Sequence, residues 1–516
     1  MTKYMNVFNG ITALCMIYAI WGNTYFLSWF GVYDNPQDIT RLRNQWIFTL
    51  VPAAYLTVPL LFFVQGFVST FGLLQNKPDG EGVTIKESLY FIIKKALRLT
   101  PFNLFMIWNA VGAGPGAGHG PFWNLYLEAF RGCNIRPEYQ NPGGIGGWWT
   151  NIAFINNLYP ASFDQKCMGW SWFIPCYMQL TILLPFILLI NRLPGKVSTM
   201  LYATLFVVFF ALNAALLARS TSGIFLTFTD DYYFSYDFLN NSFMTPWFHV
   251  NSYMWGAVLC LAFLRYTRDV SNNVNKDEQA ISTRFFTQLR NSGKTRYALY
   301  FVSFVSNLLI VFGLHGYIAN NSWGPVLQAV YGALAYPGFA ISCSIVLISA
   351  ILGRAEFVRF FFGGEFWTLW RSIAYGLHMF APIYCITYIL GMSTTQHLDY
   401  QMMFYTFCGT LVFSLIFMMI YFVFVDRPFH AMFLFYHDLR TVTNNLNVNP
   451  QGTVNIQHYK VGAEGDRLLY EDPAVTGIIG DNKGIQDKST TLFDISGQES
   501  PRQQQRETSN YLPKVV

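Results

Sequence analysis

"NGITALCMIYAIWGNTYF", residues 9–26, opens the first of a series of apolar runs, and its reading decides the fold class. A run of roughly 18 or more apolar residues can cross a bilayer as a helix. Two polar side chains interrupt this one, Thr12 and Asn23, eleven positions apart. Eleven residues at about 3.6 per turn make almost three turns, so both side chains lie on one helix face. Neither titrates near neutral pH.

The pattern repeats along the chain. Of 516 residues, 53% are hydrophobic, 18% aromatic and only 12% charged, about half the charged share of a typical soluble domain. About ten apolar runs fall near 11–30, 47–73, 96–113, 168–190, 198–218, 246–265, 297–318, 325–352, 371–392 and 401–425. The expected fold is an all-α polytopic membrane protein, a bundle of about ten transmembrane helices. Residues 1–430 form its membrane domain, and 431–516 a polar tail.

The N-terminal MTKYMNVFNG resembles neither a signal peptide nor a transit peptide, so the first span is expected to act as its own targeting signal. Lys and Arg concentrate in the N-terminus and the even-numbered loops; the odd loops hold only Arg41, Arg43, Arg131, Arg136, Lys166 and Arg219. The positive-inside rule then places both termini on the cytosolic or matrix side. The net charge of +5 follows from this bias and gives no reason to invoke nucleic acid.

Six of the eight cysteines fall within spans, where a small apolar side chain suffices. Cys133 and Cys167 instead bracket the long third loop, about 114–167, on the outer face. They are disulfide candidates for a lumen, cell exterior or intermembrane space; the sequence leaves open whether the two backbones approach closely enough. The loop's glycines follow no strand, so a phosphate-cradle reading fails. His119 in it reads as a surface histidine. Residues 281–290, ISTRFFTQLR, read as an amphipathic helix on the inner surface. The tail is too polar to bury enough apolar area alone, so a partner is expected to order it. No CxxC, HExxH or P-loop spacing occurs, and no metal site is expected.

The string CMGWSWFIPCYMQLTILLPFILLI at 167–190, preceded by GPFW, by WWTNIAFINNLYP and by the pair Cys133/Cys167, resembles the nose-resistant-to-fluoxetine branch of the membrane acyltransferase 3 family. ALRLTPF at 96–102, SIAYGLHMFAP at 372–382 and the Asp426-Arg427-Pro428 exit continue the resemblance from about residue 9 to 430. It implies a ten-helix bundle that transfers an acyl group from a donor such as acyl-CoA to an acceptor hydroxyl. That reaction calls for a general base and for cations near donor phosphate.

The family's Arg and His of the first helix fall here on Thr12 and Asn23, vestigial positions without base or charge. Its second-span motif reads Pro59-Leu60-Leu61-Phe62, with Gln65-Gly66 after it; its acidic residue beside Met-Gln is Tyr177, before Met178 and Gln179; an Arg near the sixth span is His249. Arg98 keeps the Arg-x-x-Pro motif and reads either as a donor-phosphate ligand or as a positive-inside anchor. His378, at the family's Tyr-x-x-His, is the candidate base if the chain is active, and otherwise a hydrogen-bonded core histidine. Thr12 and Asn23 read as interhelical hydrogen-bond glue.

The leading expectation is a catalytically degenerate acyltransferase-like protein, a structural or accessory subunit of a large membrane complex. A mitochondrial inner-membrane respiratory complex is the favoured home. Its partners would be other membrane subunits and lipids, with no cofactor. The alternatives are an active acyl-CoA-dependent O-acyltransferase and a lipid-binding membrane protein. Sequons at Asn240-Asn241-Ser242 and Asn320-Asn321-Ser322 offer a compartment test, because a glycan would exclude the mitochondrial inner membrane.

Overall fold

A computed structural model describes residues 5–432, apart from 29–30, 78–81, 114–115, 117, 124, 126–129, 134–146, 163–164, 220–237, 276–278, 321–322 and 430. Residues 433–516, nearly all of the tail expected to need a partner, lie outside the described residues, as do Asn321 and Ser322 of the second sequon.

Nine described helices are long and apolar enough to cross a membrane. Among the described residues no strand forms, and Tyr33 and Gln396 make an isolated bridge. The chain is an all-α polytopic membrane protein. Its elements are α1 (Val7–Ser28), α2 (Thr57–Leu74, continuing turns that begin at Trp46), α3 (Ile85–Ile107), α4 (Phe173–Ile190), α5 (Gly195–Arg219) and α6 (Pro246–Ser271). There follow α7 (Ile281–Asn291), α8 (Gly293–Phe312), α9 (Pro325–Ile351), α10 (Glu356–Phe362), α11 (Phe366–Leu390) and α12 (Tyr400–Tyr421).

The run expected as a span near 96–113 lies on α3 and the π-helical turn Trp108–Ala113 after it, outside the nine. The helix begins eleven residues earlier than the apolar run, and its stretch up to residue 98 carries Lys86, Glu87, Lys94, Lys95 and Arg98. A capping box starts it: Glu87 N–H donates to Thr84 Oγ1, and Thr84 N–H donates to the Glu87 carboxylate at 2.7 Å. Lys77 Nζ, 2.5 Å from that carboxylate, and the Thr84 amide hold Glu87 down to about 2.

Two helix pairs make the centre, α2 with α6 and α1 with α11. The first is close because both helices are glycine at the crossing. A Cβ at Gly66 would stand 2.1 Å from the Tyr253 carbonyl oxygen, and one at Gly256 2.1 Å from the Phe63 carbonyl oxygen. Reciprocal glycines let two backbones touch, which is how helices gain contact where lipid is as apolar as leucine. The second pair runs parallel. Arg371 Nη1 donates to Asn9 Oδ1 at 2.6 Å near the start of both helices, and Asp34 N–H donates to the Gln396 carbonyl at 3.0 Å beyond their ends. Helices α5, α8 and α12 lie at the periphery, with most of their apolar surface exposed. Residues 281–290 form most of α7, whose Thr283, Phe286 and Leu289 pack inward.

Candidate functional site

The strings that carry the family resemblance build one buried polar network at the end of the bundle where the cysteines lie. Cys133 and Cys167 are joined by a disulfide, with Cα atoms 4.2 Å apart and both residues fully buried. The Cys167 carbonyl accepts from Asn151 Nδ2 at 3.0 Å, and Asn151 Oδ1 accepts from Asn156 Nδ2 and Ser171 Oγ, each at 2.7 Å. Asn103 of α3 donates to the Asn151 carbonyl at 3.0 Å. Asn157 and Gln179 exchange two amide hydrogen bonds of 2.9 Å each, and Asn157 Nδ2 also donates to the Met244 carbonyl at 3.1 Å. Lys166 Nζ donates to the Asn157 carbonyl at 2.8 Å and to Asn240 Oδ1. Burial, without a carboxylate among those bonds, lowers the Lys166 amine to about 8. The loop is therefore clamped onto α3, α4 and the segment before α6 by these bonds, while Asn103 Oδ1 and Asn156 Oδ1 are left unpaired.

The clamp bears on the first sequon. Asn240 is half-buried, and its Nδ2, the atom that would carry a glycan, donates to the Ala161 carbonyl. His119 is exposed.

The six candidate positions of the sequence fall into two sets. Near the clamp, Asn23 Oδ1 accepts from Tyr55 Oη at 3.0 Å, Tyr55 meets Phe243 edge-on at 5.7 Å, and Phe243 meets His249 at 5.4 Å. His249 is fully buried, with Phe62 at 4.6 Å and Trp172 stacked at 5.5 Å. Its Nε2 donates to the Phe243 carbonyl at 2.7 Å. That bond fixes the tautomer and leaves Nδ1 bare, with no partner.

The second set lies deeper, along α3, α1 and α11. Phe102, one turn above Arg98, meets Tyr375 at 5.5 Å, and His378 follows Tyr375 by three residues. Phe102 also meets Phe380 at 5.7 Å, so its ring lies between the levels of Tyr375 and Phe380, and Arg98 is one turn before it. Arg98 lies within electrostatic range of Tyr421, as does Asp426. Lys95 stands over the Tyr177 ring at 5.9 Å, so that tyrosine faces a cation through its π-surface. The Asn9–Arg371 bond sets the register of α1 against α11, which puts Thr12 about 6 Å below His378 and Asn23 about 10 Å above it. Buried Thr12 Oγ1 has no hydrogen-bond partner, so the expectation of interhelical glue describes Asn23 and not Thr12. His378 is half-buried, and its Nδ1 has no hydrogen-bond partner. The Tyr375 hydroxyl, one turn away, is also unpaired.

Sequence reasoning missed Lys95, Tyr375 and the asparagine clamp. The run of Asn151, Asn156 and Asn157 beside two tryptophans was the available signal. Among the described residues no group of His, Cys, Asp and Glu could hold a metal ion.

Fold and site together define a polytopic helical membrane protein with a disulfide-clamped loop over a bundle that holds unpaired polar groups. Nose resistant to fluoxetine protein 6 of Caenorhabditis elegans is similar to it, 21% identical over 421 residues, covering 77% of this chain and 47% of that protein. The chain thus spans about half the length of that relative. No family model and no solved structure matches it.

Proposed function

We propose that this chain is an acyltransferase-like bundle that has lost its catalytic pair and serves as a structural or accessory subunit of a larger membrane assembly, with lipids and other membrane subunits as partners. One observation carries the reading. The first-helix positions hold Thr12, which bonds nothing, and Asn23, which is tied to Tyr55, and neither stands level with His378. General base catalysis needs a base within hydrogen-bond reach of the acceptor and a group that orients it. His249 is enclosed, and the Nδ1 of His378 has no hydrogen-bond partner. A mitochondrial inner-membrane complex remains our favoured setting, with the disulfide end facing the intermembrane space.

The test is the native size of the protein after mild-detergent extraction from its own membrane, with mass spectrometry of what migrates with it. A large, defined complex is expected, with this chain in fixed stoichiometry. A monomer or small homo-oligomer would refute the subunit reading. A glycan on Asn240 would refute the mitochondrial setting.

A second reading rests on the bare Nδ1 of half-buried His378: an acyl-CoA-dependent O-acyltransferase with His378 as base and Arg98 on the donor phosphate. It predicts turnover by the purified chain that His378→Ala abolishes and that rises with pH through the imidazole range. Background turnover in the wild type eliminates it.

A further inference from the structure

Two short helices at the end of the bundle opposite the disulfide carry apolar ridges that face away from the core. On α10, Phe357, Phe360 and Phe361 are 76%, 86% and 46% exposed, and their i, i+3, i+4 spacing makes one ridge. The other face of α10 is fixed, since a Cβ at Gly10 of α1 would stand 2.7 Å from Phe362 Cα, and Val358 packs on the core. Phe366, the first residue of α11, extends the ridge at 65% exposure. On α7, Ile281 and Phe285 are 84% and 43% exposed, one turn apart, while Phe286, the next residue round the helix, is buried and meets Tyr266 edge-on at 5.6 Å.

One hydrogen bond ties the end of α7 to the loop that precedes α10. The Arg290 carbonyl, in the last turn of α7, accepts from Arg354 Nε at 2.9 Å and from Arg296 Nη1 at 3.2 Å. Cations at a helix C-terminus are stabilising, because the last carbonyls carry partial negative charge. Ser292 alone separates α7 from the membrane-crossing α8, and residues 352–355 and 363–365 flank α10 between α9 and α11. Connections this short hold both helices at the depth where the spans end. Exposed Arg284, Lys294 and Arg354 lie along these elements; Arg284 Nε donates to the Gln279 carbonyl at 3.2 Å, and the carboxylates among the described residues here include exposed Glu356 and Glu365 and Asp269, which accepts from Thr283 of α7.

We propose that α7 and α10 form one interfacial platform that sits in the headgroup layer and binds anionic lipid phosphates through Arg284, Lys294 and Arg354. Aromatic and aliphatic ridges enter the boundary between headgroups and acyl chains, and basic side chains beside them select anionic lipid. The short connections argue for lipid over a protein partner, since they place the ridges where headgroups must lie.

The full chain, reconstituted in nanodiscs of phosphatidylcholine with or without phosphatidylserine, tests this by native mass spectrometry of retained lipid. Phosphatidylserine should be retained preferentially, and raised salt should weaken that preference. R284Q/K294Q should lower phosphatidylserine retention roughly tenfold or more, at about 1 kcal/mol per charge, and leave phosphatidylcholine unchanged. Phe357→Ser/Phe360→Ser should lower retention of both lipids. Equal retention of the two lipids by the wild type overturns the proposal, as does a neutralised variant that holds phosphatidylserine as before. If the variants fail to fold, the salt titration of the wild type decides. A protein that co-purifies on this face and is released by Phe357→Ser also overturns it.

Discussion

Asn251 sits on α6 with 1% exposure, and neither its amide nitrogen nor its oxygen has a hydrogen-bond partner. A buried polar group left unpaired costs about 1–3 kcal/mol, and replacing it by an apolar group of similar shape recovers part of that. Asn251→Leu is therefore expected to leave the thermal midpoint in detergent unchanged or to raise it; a clear drop would mean that the amide has a partner in the working protein. Lys166 poses the opposite case, a buried amine that is hydrogen-bonded but lacks a countercharge in those bonds. Its folded value of about 8 lies below the ordinary lysine value of 10.5, so between those limits the unfolded chain binds more protons and stability rises with pH. Below pH 8 both states are protonated and the full cost is present. Lys166→Met should flatten the slope of stability between about pH 8 and 10, read as the midpoint against pH.

The α2–α6 crossing shows how much rests on the absence of two side chains. Gly256→Ala puts a methyl against the Phe63 carbonyl oxygen at 2.1 Å, with backbone on the other side that cannot swing away. Overpacking of this kind costs about 1–3 kcal/mol. A lowered midpoint is expected, and a larger loss for Gly256→Val; an unchanged midpoint would mean that the helices separate freely there. The same crossing explains Gly66, which the sequence offered only as part of a motif. Motif membership carried no information about the Tyr253 carbonyl, because the contact joins residues far apart in the chain.

Across the whole molecule, the disulfide and the asparagine clamp close one end of the bundle. Cys133 and Cys167 are 34 residues apart in sequence, and a loop of that length, freed in the unfolded state, corresponds to about 4 kcal/mol in the chain-entropy account. Cys133→Ser/Cys167→Ser should therefore lower the midpoint substantially, and the wild type alone should shift in mobility on reducing against non-reducing gels. Equal mobility and equal stability would show that the bridge is not formed in the native membrane.

Length and hydropathy alone determined that this is a helical membrane protein, because a bilayer permits only closed hydrogen bonding and roughly twenty apolar residues per crossing. They also showed Thr12 and Asn23 on one face, since helical periodicity is local. They placed the third apolar run at 96–113, and the structure carries that helix back to Ile85 through a charged stretch. The sequence could not say that Asn23 bonds Tyr55 while Thr12 bonds nothing, or that aromatic rings enclose His249. Those facts depend on the register of one helix against another. Only the tertiary packing fixes that register, through contacts such as Asn9–Arg371 and the paired glycines of α2 and α6.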